Sequence, residues 1–437
     1  MIAQPAFKLK ELDYSGASHL YTSTPSRINV VEVTLTVPVD GNALQLAVED
    51  TLERMPYFAD ALKEIDGLFY YAENPLPFVV CEGGPRAVGG PETNWHLVDV
   101  SYEGSVMHFS MFHAFCDGQG MNFFVEATLY HYFCRRDGTS HPSEGIRAKG
   151  TPMLEGEELD FASAVTEVQL NPDAAAQYKG PALDRCVLPE VAGNLLGHIH
   201  ASVLRVREDE FVSFARSCGS SPAPTIAALM ADAILDVHPE LEGDITALIP
   251  ASARTVMQLP NTFKNCSMAA RLHFDTHDAE SMGFAERASR ARASMRMQLD
   301  PSLAAFAANG IHQGLAAAQS VPGYADKRRM LNGNGNSSPV TFVLDYLGKM
   351  RLGGYEDQIA SIRFLASGAD DGNGFLTFMV SATGGIFEIL TLRNFEADVY
   401  DSVLATQLKE HGLRGELGED FTFLTPRNGL IPALGLA

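Results

Sequence analysis

The sequence predicts an α/β fold, of the α+β kind with large mixed sheets. Stretches that alternate between apolar and polar residues, such as 28–38, are interspersed along the chain with stretches of helical spacing, such as 224–237. A chain of 437 residues is too long for one ordinary core and fits two domains of about 150–250 residues each. We find no short-period repeat that would indicate a solenoid.

The first half mixes strands and helices. In residues 28–38, valines and Leu35 fall on one side and polar residues on the other, which predicts a half-buried strand. A helix begins at Asp40-Gly41-Asn42 and ends before Pro56, and Asp66-Gly67 predicts a hairpin turn. The predicted strands are 28–38, 62–65, 68–71, 95–100 and 107–113, and the predicted helices are 42–55 and 121–132.

The second half repeats this layout after a loose connection. Residues 135–156 are rich in glycine, proline and serine, and residues 171–194 show little periodicity, so we divide the chain into 1–185 and 186–437. Residues 332–338 predict a flexible loop. The predicted strands are 198–206, 245–250, 267–274, 340–347, 359–366, 375–381 and 386–392, and the predicted helices are one carrying Phe211 and Phe214, then 224–237, 279–299, 302–319 and 396–411.

The composition excludes several classes of function. A formal net charge of −22 would repel phosphate backbones and anionic membranes, so nucleic acid is not an expected partner. Six cysteines lie scattered without metal-ligand spacing, which indicates a reducing compartment. Neither a leader-like apolar segment nor a run of about 18 apolar residues occurs, so we expect a cytoplasmic protein without a membrane span.

The candidate site lies in residues 107–120, MHFSMFHAFCDGQG. The predicted strand ends at His113, and Asp117-Gly118 opens the next helix. An imidazole is the side chain best suited to take a proton near neutral pH and return it. Asp117 could cap the helix or hold an arginine that fixes the loop.

Simpler explanations exist for both residues. A single strand histidine is usually a hydrogen-bonded core residue, and an aspartate before a helix is usually only its N-cap. A chance His-x-x-x-Asp-Gly in a chain of this length has odds of roughly one in ten.

The context of this segment resembles the chloramphenicol acetyltransferase-like superfamily, which includes peptide-synthetase condensation domains, alcohol acetyltransferases and the HxxxD acyltransferases. Residues 112–118, FHAFCDG, resemble the HHxxxDG motif of that superfamily, with Phe112 in place of its first histidine. Residues 248–254, LIPASAR, resemble its "vPvnlR" strand, and residues 342–348, FVLDYLG, its "NYLG" element. The likeness extends along most of the chain.

The resemblance implies two similar halves that form a pseudo-dimer around a central tunnel. A thioester donor enters from one side and an acceptor from the other. His113 is then the catalytic base, and Asp117 is a structural residue that pairs with Arg254. The remaining residues implied to be structural at the site are Gly118, Asp345, Tyr346 and Gly348.

The expected protein is a stand-alone monomeric acyltransferase of secondary metabolism that acts on a hydroxyl or an amine. Its co-substrate would be acyl-CoA or a phosphopantetheine thioester on an acyl-carrier protein, and its acceptor a small molecule. No bound cofactor or metal is expected, and the substrate-binding residues are unknown. Ser338, Thr341 and Asn265 are guesses for the donor to the oxyanion.

Other interpretations of the same residues remain open. His108 and His113 lie five residues apart and face opposite sides of a strand, which argues against a shared metal. Cys116 could be a nucleophile, although a buried apolar role is the simpler interpretation. Residues 327–329, KRR, could attract the 3′-phosphate of coenzyme A or form a solvated helix end. The alternative function is a non-catalytic relative that binds a carrier or ligand in the same tunnel.

Overall fold

A computed structural model describes residues 8–22, 28–161, 186–332, 340–366, 374–397 and 399–423. The strands are β1 (Leu9–Glu11), β2 (Ile28–Leu35), β3 (Ala61–Ile65), β4 (Leu68–Ala72), β5 (Cys81–Glu82), β6 (Val98–Glu103), β7 (Val106–Phe112), β8 (Leu195–Arg207), β9 (Asp244–Ser252), β10 (Ser267–Asp275), β11 (Phe342–Gly348), β12 (Ile359–Ala366), β13 (Leu376–Thr383), β14 (Ile386–Phe395) and β15 (Gly415–Phe423). The helices are α1 (Tyr14–Thr22), α2 (Gly41–Arg54), α3 (Gly118–Asp137), α4 (Glu208–Ser217), α5 (Pro222–Val237), α6 (Asp278–Ser281), α7 (Phe284–Gln298), α8 (Pro301–Gln319), α9 (Tyr324–Asn332) and α10 (Tyr400–Glu410).

The strands form three sheets, so the predicted mixed α/β class is confirmed. The smallest sheet has the order β1-β4-β3, and the first large sheet has the order β12-β2-β7-β6-β5. The second large sheet has the order β10-β9-β11-β13-β14-β8-β15. Parallel neighbours, such as β11 and β13, occur beside antiparallel ones.

Strand β12 joins the two parts of the chain. It comes late in the sequence but pairs antiparallel with β2, with Ile362 opposite Val33 and Phe364 opposite Val31. These side chains are buried in the same apolar core as α2 and α3. A strand from the second half therefore completes the sheet of the first half, and the division at residues 185 and 186 stays a prediction.

The local signals predicted most of the elements correctly. Asp40 caps α2 by accepting from the backbone N–H groups of Asn42 and Ala43, as its type predicts. Asp66 and Gly67 both have positive φ angles between β3 and β4, as a tight hairpin turn requires. Each of these turns is specified by residues within a few positions of one another, which is why the sequence shows them.

Some predictions of helix and strand were wrong. The single predicted helix 279–299 is two helices, α6 and α7, because the chain is extended at Gly283. The predicted strand 95–100 begins only at Val98, since Trp95 has a positive φ of 68° and belongs to a turn. Strands β1, β5 and β15 and helices α1 and α9 were not among the predicted elements. The predicted loop 332–338 lies outside the described residues apart from Asn332, which ends α9.

None of the helices in the described ranges is both long enough and apolar enough to cross a membrane.

Candidate active site

His113 follows directly after the last residue of β7. Strand β7 pairs with β2 on one side and β6 on the other, which fixes the position of Phe112 in the middle of the first large sheet. The chain then turns, with Phe115 N–H donating to the carbonyl of Phe112 at 2.9 Å. His113 is half-buried, and its Nδ1 lies 3.4 Å from the carbonyl oxygen of Cys116. Because a carbonyl only accepts, this contact favours the proton on Nδ1 and leaves the lone pair on Nε2.

A second histidine lies against this ring. The imidazole of His19, on α1, stacks on that of His113 with ring centroids 4.2 Å apart and an interplanar angle of 23°. The two residues are 94 positions apart in sequence (113 − 19). The site therefore contains a pair of stacked imidazoles, and only one of them belongs to the motif.

Asp117 is the N-cap of α3 and the centre of a buried hydrogen-bond cluster. Its Oδ1 accepts from Gly120 N–H at 2.8 Å and from Arg254 at 2.7 Å, and its Oδ2 accepts from Arg254 at 2.8 Å and from Cys266 N–H at 2.8 Å. Four N–H groups fill the acceptor capacity of one carboxylate. Asp117 therefore connects the start of α3 to Arg254 and Cys266 in the second half of the chain.

Arg254 comes just after β9 and is 4% exposed. Besides its two bonds to Asp117, Nε donates to the carbonyl of Thr262 at 2.9 Å and a terminal nitrogen donates to the carbonyl of Lys264 at 2.8 Å. Burial by itself would lower the pKa of Arg254, but the charge of Asp117 outweighs this effect and raises it. The bidentate ion pair thus holds the turn at 262–266 against the motif.

Two glycines of the motif region have different surroundings. A Cβ at Gly118 would meet only the end of the flexible Leu347 side chain, at 3.1 Å. A Cβ at Gly120 would overlap the backbone carbonyl of Phe263 and lie 3.0 Å from the Cβ of Cys116. The close approach of α3 to the second half therefore requires glycine at position 120 rather than at the motif position 118.

Of the site residues predicted from β11, Asp345 lies near Asp117 and Tyr346 packs in the second core. Leu347 is the extra residue of a β-bulge between Tyr346 and Gly348, and it reaches Gly118. Asp345 is only partly accessible to water, and its enclosure together with the negative charge of Asp117 raises its pKa to about 7. Tyr346 packs edge-on against Phe387 in the second core. The structure thus brings Asp345 within electrostatic reach of Asp117 and leaves Tyr346 in a packing role.

The surroundings of Cys116 and His108 do not favour the interpretation of Cys116 as a nucleophile or of His108 as a metal ligand. Cys116 is fully buried, its Sγ is 3.4 Å from the sulfur of Met111, and burial raises its pKa well above the usual value, so the thiol stays protonated. His108 is buried opposite Glu32 of β2. Burial lowers the pKa of His108, which favours a neutral core histidine.

The basic run at 327–329 does not form a free cationic patch. Lys327 is 1% exposed, and its Nζ donates to the carbonyl of Gly67 at 3.1 Å and lies over the ring of Tyr21. Arg329 pairs with Asp326 one turn earlier on α9. Lys327 is therefore occupied in packing α9 and is not available to a phosphate.

Two of the three residues guessed as oxyanion donors lie in the described part of the chain. Ser338 lies outside the described residues. Thr341 is buried and is engaged with Thr246 N–H and the carbonyl of Cys186. Asn265 is buried in the turn that binds Asp117, and its Nδ2 makes no hydrogen bond to any described residue. Of the two described side chains, Asn265 is the one with a donor that makes no hydrogen bond to a described residue.

Sequence reasoning missed two residues of the site, His19 and Gly120. Position 120 requires a glycine because a side chain there would overlap the carbonyl of Phe263. That carbonyl is 143 residues away in the sequence (263 − 120), so local reasoning could not find the requirement. His19 lies in the segment YSGASHLYT, whose glycine and serines do not suggest a helix. Asp13, directly before this segment, is the signal that could have indicated a helix start.

The comparisons with known proteins show the fold of the chain. Neither a protein-family model nor a curated protein matches the sequence, but solved structures match over almost its full length. Among them are condensation and epimerization domains of synthetases and several acetyltransferases, which have the fold of the chloramphenicol acetyltransferase-like superfamily. The chain has the fold of that superfamily, and the resemblance seen in the sequence is confirmed at the level of the fold.

Three of these structures illustrate the range. Polyketide synthase associated protein 5 from Mycobacterium tuberculosis has a TM-score of 0.62 at 15% identity, with 92% of this chain and 98% of that chain covered. The first condensation domain of the calcium-dependent antibiotic synthetase has a TM-score of 0.61 at 14% identity, with 92% of this chain and 95% of that chain covered. TRI101 of F. graminearum, complexed with coenzyme A and T-2 mycotoxin, has a TM-score of 0.57 at 13% identity, covering 93% and 99%.

Proposed function

We propose that the protein transfers an acyl group from a thioester to a hydroxyl or amine, with His113 as general base. The observation that carries this proposal is the state of the His113 ring. Its Nδ1 faces the carbonyl oxygen of Cys116, which favours the tautomer with the proton on Nδ1 and the basic lone pair on Nε2. Asp117, four residues later, is saturated by four N–H donors and holds the loop.

The reaction needs one proton to be taken up and returned. Nε2 of His113 removes the proton of the acceptor while the acceptor oxygen or nitrogen attacks the thioester carbonyl carbon. The tetrahedral intermediate carries a negative oxygen, for which Asn265 Nδ2 is the donor to be tested first. The C–S bond then breaks, and the departing thiolate takes the proton from the imidazolium. The products are an ester or amide and a free thiol.

Acyl-CoA is the proposed donor, since TRI101 shares this fold and is complexed with coenzyme A. A thioester on a carrier protein is the second donor to be tried, because condensation domains share the fold as well. The acceptor is a small molecule. The buried Lys327 does not contribute to donor binding in this proposal.

The test is thiol release from a panel of acyl-CoAs mixed with alcohols and amines, followed by the same panel on a loaded carrier. We expect His113→Ala to lower kcat by about 10²–10⁴-fold, the usual contribution of a general base. His277→Ala is the matched control, since His277 is exposed and follows β10 at the edge of the second large sheet. Equal turnover by wild type and His113→Ala would overturn the mechanism. If no thioester is consumed, the non-catalytic binding protein becomes the better account.

A further inference from the structure

We propose that His19 is a positioning residue for His113, and that its flat ring holds the plane of the catalytic imidazole. This inference rests on the proposed function, because it assigns a role relative to the base. The observation is the stack of the two rings, with centroids 4.2 Å apart and an angle of 23° between the planes. Aromatic pairs prefer offset-stacked or edge-to-face arrangements, and this pair is stacked.

His113 needs such support because of where it lies in the fold. It follows the last residue of β7, so no strand pairing restrains it directly. Its hydrogen bond to the carbonyl of Cys116 is long, at 3.4 Å. The preceding residue, Phe112, is 3% exposed and packs in the core. The ring face presented by His19 adds a contact that restrains the plane of the His113 ring.

Helix α1 is held close to the His113 turn at its beginning. Asp13 Oδ1 accepts from Gly16 N–H at 2.6 Å, which starts the helix. A Cβ at Gly16 would lie 2.7 Å from both the carbonyl oxygen of Ala114 and the hydroxyl of Tyr71. That hydroxyl itself donates to the carbonyl of Ala114 at 3.0 Å. Gly16 thus lets α1 approach the residue next to His113.

The other end of α1 is fixed as well. Tyr324, on α9, donates from its hydroxyl to the carbonyl of Leu20 at 3.1 Å. Tyr21 packs edge-on against Phe69 and tilts against Tyr324. Leu20 and Tyr21 are both at most 4% exposed. Because α1 is anchored on both sides of His19, the position of the His19 backbone is fixed relative to the turn that carries His113.

The physical consequence is a requirement for a flat ring at position 19. A base that is turned out of line loses its approach to the acceptor proton, and small misplacements lower the rate strongly. A phenyl ring offers the same flat face and cannot carry a proton. A leucine side chain fills a similar volume without a flat face. These two substitutions therefore separate stacking from every role that needs the imidazole nitrogens.

The experiment compares His19→Phe and His19→Leu with the wild type. We expect His19→Phe to keep kcat within about threefold and His19→Leu to lower it by about tenfold or more, with KM changed by less than about twofold in both. A loss in His19→Phe as large as in His19→Leu would overturn the proposal, because the nitrogens would then be required. Wild-type kcat in His19→Leu would overturn it as well.

A second measurement does not depend on turnover or on the folding of any variant. In the wild-type protein, NMR should show cross-relaxation between the ring protons of His19 and His113. It should also show upfield ring-current shifts for His113. Absence of both signals would overturn the proposed stack. If they are present but no thioester is consumed, acyl transfer has failed while the pairing of the rings stands.

Discussion

At the scale of single residues, the motif histidine and aspartate have separate surroundings, and we propose separate roles for them. The proposed base, His113, contacts a carbonyl oxygen and the ring of His19. The carboxylate of Asp117 accepts four hydrogen bonds, one from Gly120 of α3, two from Arg254 and one from Cys266. In the proposed mechanism, a carboxylate bound in this way holds the loop and does not relay a proton from the histidine.

We expect Asp117→Asn to destabilise the protein by about 3–5 kcal/mol, because it leaves the buried guanidinium of Arg254 without its counter-charge. Urea unfolding measures the loss, and the exposed Asp326→Asn serves as control because its ion pair with Arg329 lies on the surface. A variant as stable as wild type but as inactive as His113→Ala would instead place Asp117 in the chemistry.

Asp345 predicts a pH dependence of stability. Its pKa is about 7 in the folded protein and about 3.9 in an unfolded chain, so the folded state holds the proton more tightly between these values. Its favourable contribution is complete below about pH 4 and is lost as the pH rises through 7. Asp345→Asn cannot titrate. We expect the unfolding free energy of wild type to fall relative to this variant between about pH 4 and pH 7. If urea unfolding gives parallel pH curves for the two proteins, the assignment is contradicted.

At the scale of elements, the start of α3 depends on how closely it can approach the second half of the chain. The side chains and backbone that face Gly118 and Gly120 differ, although both glycines lie in the first turn of the helix. Leu347 can move away from position 118 by a change of rotamer. The carbonyl of Phe263 cannot move away from position 120 without displacing the turn that binds Asp117.

We therefore expect Gly118→Ala to keep nearly wild-type stability and Gly120→Ala to unfold at markedly lower urea concentration. Both changes replace glycine by alanine in one helical turn, so the gain in helix propensity is the same for each. The two variants are controls for one another. Equal behaviour of the pair in urea unfolding would show that the turn at 262–266 adapts, and that the ion pair of Arg254 does not fix it.

The elements also show what a sequence can predict. Asp40 and Asp66-Gly67 act on their immediate neighbours, and the helix and hairpin that they predicted are present. Helix α1 also packs against distant residues, such as Tyr71 and Tyr324, and its own segment contains poor helix formers. For this reason the motif could be found from residues 107–120, while the second ring of the stack could not.

At the scale of the whole molecule, β12 makes the first large sheet dependent on the second half of the chain. Its pairing with β2 joins residues more than three hundred positions apart, for example Phe364 with Val31. No local pattern specifies such a partner, so the sequence predicted the strand but not its place. Without β12, β2 becomes an edge strand and part of the core under Ile362 is lost.

We expect the fragment 1–185 to unfold without a cooperative transition when it is expressed alone. The same fragment carrying residues 359–366 on a flexible C-terminal linker should regain a sharper transition, because β2 recovers its neighbour. Circular dichroism during urea unfolding measures both. A cooperative transition in the fragment without the added strand would show that the predicted division at residues 185 and 186 marks an independent domain.

The path of β12 has a consequence for protein engineering. Chimeras that combine the front half of one enzyme with the back half of another are a common way to recombine specificities. In this protein a single cut between the halves would pair a β2 from one parent with a β12 from the other. A working hybrid would have to transplant residues 359–366 together with the front half, so its genetic design needs three junctions instead of one.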